Sequence, residues 1–258
     1  MVAHLETIKG NIMATPSDQT QKKPLEIREI QELAIAISAK NLNPTMLSQE
    51  FLKQTGIVPN EWELGKQPVL GQNLSQVTFQ NGVSIVAQPR TITFMESLGA
   101  KKPNELNIPN VAHQYVDKLS NAEYQGLSIT PKSLVPFPGN DQGARKFITQ
   151  NLLSPGEWQN YGNAPLQAGL NLLYQLDRCQ FSLSINEAKI QMPDKSAIPA
   201  LLFAGNFNYN LAAGNPQDVI AKLKQGIDDW QNDLNAFQEV VNQRFLAQQQ
   251  PTSLFPTT

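Results

Sequence analysis

Apolar and small residues alternate at Leu33, Ile35 and Ile37, the spacing of a half-buried strand. Asn43-Pro44-Thr45 then ends that strand and opens a helix with Met46, Leu47, Phe51 and Leu52 on its apolar face. Val77-Thr78-Phe79 and Val83-Ser84-Ile85-Val86 flank Gln80-Asn81-Gly82, which predicts a hairpin closed by a type I′ turn, because Asn-Gly accepts positive φ. Pro89-Arg90 turns the chain into Thr91-Ile92-Thr93-Phe94, and a helix is expected over 109–119 with Val111, Ala112, Tyr115, Val116 and Leu119 on one side. The same order recurs downstream, with a strand near 124–135, a helix near 141–152 and strands at 170–176, 180–185 and 198–211. The closing helix is longer. Asn215 can cap it, Pro216 suits its first position, and Ile220, Leu223, Ile227, Trp230, Leu234, Phe237 and Val241 step by three and four. A straight helix from 216 to 246 would be about 45 Å long, more than a small sheet covers. Its second half, with Leu234, Phe237, Val241 and Phe245, is therefore expected either to overhang and serve as a self-association surface or to bend along its own domain.

The recurrence extends to individual residues. Phe51, Gln54, Pro59, Glu61 and Trp62 return as Phe147, Gln150, Pro155, Glu157 and Trp158 at an offset of about 96, and Pro68 answers to Pro165. Val83-Ser84-Ile85 answers to Phe181-Ser182-Leu183, and Ile92 to Ile190, at an offset of about 98. The expected fold is therefore α+β, an internal duplication of a strand-helix-three-strand-helix unit. The copies should form one pseudo-symmetric antiparallel sheet with helices on one face and a long C-terminal helix. Residues 25–122 form the first copy and 123–250 the second. Residues 1–24 and 251–258, rich in small and helix-breaking residues, are expected to be flexible arms.

Composition narrows the function classes. Only 16% of residues are charged and the formal charge is -2, so no electrostatic footprint for nucleic acid is present. Amides replace the charge, with 27 Gln and 23 Asn spread along the chain as a neutral hydrogen-bonding surface. Cys179 stands alone and can form no internal disulfide, which points to a reducing compartment. No signal-peptide pattern or membrane-length apolar run is visible, so a soluble cytoplasmic protein with no integral membrane segment is expected.

Candidate chemistry is sparse. Glu61 and Glu157, flanked by Trp62 and Trp158, could act as paired carboxylates in a groove between the copies, which is the enzyme reading. A packing role ranks above it, because Ser154-Pro155-Gly156-Glu157 has the form of a capping box and Trp158 can hold the turn to the sheet. His113 is a single imidazole with no clustered ligands, and Cys179 reads first as a turn residue. The loop from Gly139 to Arg145 lacks phosphate-binding spacing, and Lys101-Lys102 is too small a basic patch for nucleic acid. No cofactor or metal is expected.

The runs Asn41-Leu42-Asn43-Pro44-Thr45, Gly56-Ile57-Val58-Pro59-Asn60-Glu61-Trp62-Glu63-Leu64 and Phe79 through Pro89 resemble an uncharacterised family of conserved proteins from cyanobacteria. The resemblance spans most of 30–245. It implies a cyanobacterial source and a soluble protein, and carries over no catalytic or binding residue. The expected function is a non-enzymatic interaction, scaffold or assembly protein that binds a protein partner or itself. A phage-like structural subunit is one form of this. The alternatives are a binding protein for a small apolar ligand between the copies, and an enzyme using Glu61 or Glu157.

Overall fold

Among the described residues, eight strands form one antiparallel sheet. They are β1 (Glu32–Ala39), β2 (Ser75–Thr78), β3 (Val83–Gln88), β4 (Thr91–Ser97), β5 (Tyr124–Pro136), β6 (Gly169–Gln175), β7 (Gln180–Gln191) and β8 (Ala197–Asn210). The computed structural model describes residues 32–98, 101–192, 194–211 and 214–247, so the expected arms lie outside it. The strand order is β2-β3-β4-β1-β5-β8-β7-β6. Read from the centre outward, each half runs through its first, fourth, third and second strand. The halves meet at the antiparallel pair β1 and β5, where Ile35 faces Ile129 and Ile37 faces Leu127.

Period-two alternation divides each strand. On one side, Leu33, Ile35, Ile37, Ile85, Phe94, Ile129, Leu183, Phe203 and Phe207 are fully buried, each contributing roughly 1.5–3 kcal/mol. Helices meet these residues. The helix α2, following α1 (Gln49–Gln54), covers Ile108–Lys118 and sets Tyr115 edge-on to Phe94 at 5.4 Å. After α3 (Gly143–Lys146) the chain widens into a π-helical segment, Phe147–Leu152, and Phe147 packs edge-on to Phe203 at 6.5 Å. Two close approaches depend on glycine. A Cβ at Gly226 of α4 (Pro216–Asp228) would come within 2.6 Å of Leu127 Cδ2. One at Gly205 would come within 2.9 Å of Phe237 Cδ2, on α5 (Trp230–Glu239). No helix among the described residues is long and apolar enough to cross a membrane.

Several expectations are corrected. The first helix splits into a 3-10 turn, Pro44–Met46, and α1, because the Ser48 hydroxyl accepts a hydrogen bond from the Phe51 N–H and starts a new cap. Met46 thereby becomes 52% exposed. At the hairpin only Gly82 takes positive φ, 91°, while the Asn81 side chain accepts from the Val83 N–H, so the turn is not type I′. Ile92 lies in β4 but Ile190 near the end of the longer β7, and that match in the repeat fails. The C-terminal helix is not straight. Asp229, at φ −79° and ψ 5°, separates α4 from α5, and Val240–Leu246 widens into π turns. Bent in this way, the helix stays on its own chain: Leu234, Phe237 and Val241 are buried, and Phe245 packs 6.4 Å from Phe203. The stripe expected to self-associate is spent on the core.

Candidate functional site

The alternate positions of the strands make a second sheet face of different chemistry. Ala36 lies between Thr93 and Ser128, Ala34 between Met95 and Thr130, and Ser128 faces Asn208. Asn206 faces Ser182, and Ser184 pairs with Ala204 and Asn171. Short side chains at these positions bond locally. Gln76 donates to the Ser84 hydroxyl at 3.0 Å, and the Thr78 and Ser84 hydroxyls are 3.0 Å apart. The charged pair on this face is Glu32 and Lys132, opposite each other in register and bonded at 2.6 Å. The Asn206 Oδ1 is buried without a hydrogen-bond partner among the described residues.

At one end the face deepens into a polar recess of about 590 Å³ lined by Ser38, Gly126, Gln180, Asn208, Asn210 and the Arg178 side chain. The turn from β6 to β7 carries Arg178, and α5 supplies the residue that fixes it. Arg178 donates from Nε and Nη2 to Asp233 Oδ1 at 3.0 and 2.6 Å, and the Tyr209 hydroxyl donates to Asp233 Oδ2 at 2.8 Å. Asp233 is fully buried, whereas the Arg178 side chain is 38% exposed, so part of the guanidinium remains open to the recess. The Phe207 ring lies 5.8 Å beneath it. Burial pushes the Asp233 carboxyl up, and the bonds from Arg178 and Tyr209 oppose that push. Burial also raises the Cys179 thiol, which makes it a weak nucleophile. The recess can therefore hold a polar group by many neutral hydrogen bonds and one cation.

The residues singled out from sequence lie elsewhere. Trp62 is half-buried, edge-on to Phe79 at 5.2 Å beside β2, and Glu61 is exposed. Glu157 and Trp158 are exposed in a 3-10 turn, Glu157–Asn160, on the segment leading to β6. Since β2 and β6 are opposite edges of the sheet, these four residues do not build a groove between the halves. The expected capping box is also absent, because extended Gly156 rather than Ser154 precedes the turn and no side chain caps it. His113 pairs with Asp117 at 3.2 Å, and no group of three His, Cys, Asp or Glu among the described residues is placed to hold a metal ion. Sequence reasoning missed the contact between Arg178 and Asp233, which joins a hairpin turn to a helix across 55 residues. The available signal was an acid, Asp233, one position ahead of Leu234 in the apolar stripe. No protein-family model matches the chain, and no curated protein matches it.

Proposed function

We propose that the chain is a non-enzymatic interaction protein whose recognition surface is the hydroxyl- and amide-rich sheet face. In this reading the helices gather on the opposite face, and the two halves descend from one duplicated unit. The packing of Tyr115, Phe147, Phe237 and Gly226 against a single set of strand positions supports the first point. The identical centre-outward strand order of the halves supports the second. The single observation that carries the functional reading is the chemistry of the face: Ser, Thr, Asn and Gln recur across its strands, interspersed with Ala34, Ala36, Met95 and the exposed Leu173, with one internally neutralised ion pair. A surface of this kind offers polyanions no counter-charge and suits a protein partner with a neutral polar surface. A reducing cytoplasm suits the lone Cys179.

A photoreactive amino acid placed at Thr93 or Ser128, with one at Lys222 on the exposed side of α4 as control, tests this in an extract of the source cells. Discrete protein adducts are expected from the two face positions and not from Lys222, and Ala36→Arg should remove them. No adducts from Thr93 and Ser128, or equal adducts from all three positions, would overturn the reading.

A further inference from the structure

A separate cavity opens on the helix-bearing side of the first half, between α1, α2 and the ends of β1 and β4. Its volume is about 210 Å³, and its apolar wall is formed chiefly by Leu42, Leu47, Phe51 and Ile92, with exposed Met46 also on the lining. Two groups on α2 give the cavity a polar pole. Tyr115 is only 5% exposed and its ring packs on Phe94, yet its hydroxyl has no hydrogen-bond partner among the described residues. The other two deeply placed tyrosines are satisfied, since Tyr124 donates to the Leu119 carbonyl at 3.0 Å and Tyr209 to Asp233. Tyr115 lines the cavity, and its oxygen is not among the enclosed side-chain atoms that lack a partner. One helical turn on, at the i,i+3 position, Lys118 lines the same cavity and makes no ion pair among the described residues.

No carboxylate lines this cavity. Burial holds the Tyr115 hydroxyl well above the ordinary phenol range, so it stays a neutral donor. Lys118 is a donor only. An accessible phenol donor beside a lysine, with no carboxylate on the lining, favours a ligand group that accepts hydrogen bonds and carries negative charge. An apolar cavity of about 150 Å³ is enough for benzene, so this one takes a ring with a short substituent or a chain of about six to eight carbons. We propose that the cavity binds a small monocarboxylate, with its apolar body against Leu47, Phe51 and Ile92 and its carboxylate bonded to the Tyr115 hydroxyl and the Lys118 ammonium. This site is independent of the open sheet face.

Calorimetric titration of the full chain with hexanoate, hexan-1-ol and hexylamine tests the proposal. Hexanoate should bind with a dissociation constant on the order of 1 mM or tighter, and hexylamine should not bind measurably. Lys118→Gln should weaken hexanoate about fivefold to tenfold and leave hexan-1-ol unchanged. Tyr115→Phe should weaken hexanoate by a similar factor while the melting temperature holds or rises, because the change removes no hydrogen bond among the described residues. Ala122→Phe, which fills the cavity from its partly exposed rim, should abolish binding, with circular dichroism reporting an intact fold. If that variant does not fold, the Lys118 and Tyr115 variants decide the matter. The proposal is overturned if no probe binds the folded chain, if hexylamine or hexan-1-ol binds as tightly as hexanoate, or if Lys118→Gln and Tyr115→Phe both bind hexanoate as tightly as the unaltered chain does.

Discussion

Glu96 is a fully buried carboxylate on β4, and four donors surround it: the Lys101 ammonium at 2.8 Å, the Asn107 N–H at 2.7 Å, the Asn107 side-chain amide at 2.9 Å and the Ile108 N–H at 3.1 Å. It thereby satisfies the free N–H groups at the start of α2, which no capping side chain serves. Glu96→Ala should cost about 3–5 kcal/mol, since it strands buried backbone donors together with Lys101. Chemical denaturation of the two proteins would measure this, and Glu96→Gln, which keeps an acceptor, should lose less. Little of this shell was legible in the sequence, because its donors come from a loop whose path no periodicity describes. Glu157, prominent in the repeat, makes no cap because Gly156 is extended where a capping residue should sit. The same Pro-x-Glu-Trp motif packs its indole beside β2 and exposes it before β6, so a shared motif did not confer a shared environment.

At the scale of elements, period-two and period-three-to-four patterns located every strand and the helices α2 and α4. They did not show where a helix bends. The stripe from Ile220 to Val241 is continuous in sequence, but the backbone breaks at Asp229, and α5 leaves that break with Leu234 and Phe237 still buried on its own chain. Phe237 and Val241 then lie in the core at 0% exposure. Replacing both by Glu should therefore unfold the chain, seen as loss of the cooperative thermal transition by circular dichroism, rather than release a folded monomer from a dimer. A second element-level link is electrostatic. Lys224 of α4 bonds Asp117 of α2, and that bond holds the Asp117 carboxyl below its ordinary range. The contribution is full above the unfolded carboxylate value near pH 4, and it fades as the pH falls through the lower folded value. Both side chains are about one-third exposed, so it is worth under about 1 kcal/mol and shrinks with salt. Asp117→Asn should flatten that part of the stability profile below pH 4, measured by urea midpoints across pH.

Across the whole molecule, two sheets of four strands are fused along one seam. Residue periodicity could suggest two similar units, but it carried no information on which edges join, because pairing between β1 and β5 is set by matching Ile35 to Ile129 and Ile37 to Leu127 about ninety residues apart. Among the described residues, that seam is the sole strand pairing between the halves. Each half also brings helices of its own to its strands, α2 beside β4 and α3 beside β8. The connection between halves, 119–123, is short and largely exposed. A cut there would leave two fragments, each with a raw hydrogen-bonding edge and half of an apolar seam, complementary to the other and insoluble alone. Co-expressed as separate chains divided between Ser120 and Asn121, the halves are expected to reassemble into one particle that melts cooperatively, with the Lys224 to Asp117 bond now acting as an intermolecular clasp. Sedimentation of the purified pair would detect this, and two fragments that each stay soluble without associating would contradict it. Seen this way, the junction of β1 and β5 behaves as a protein–protein interface that happens to be covalently tethered, and the tether matters chiefly through effective concentration.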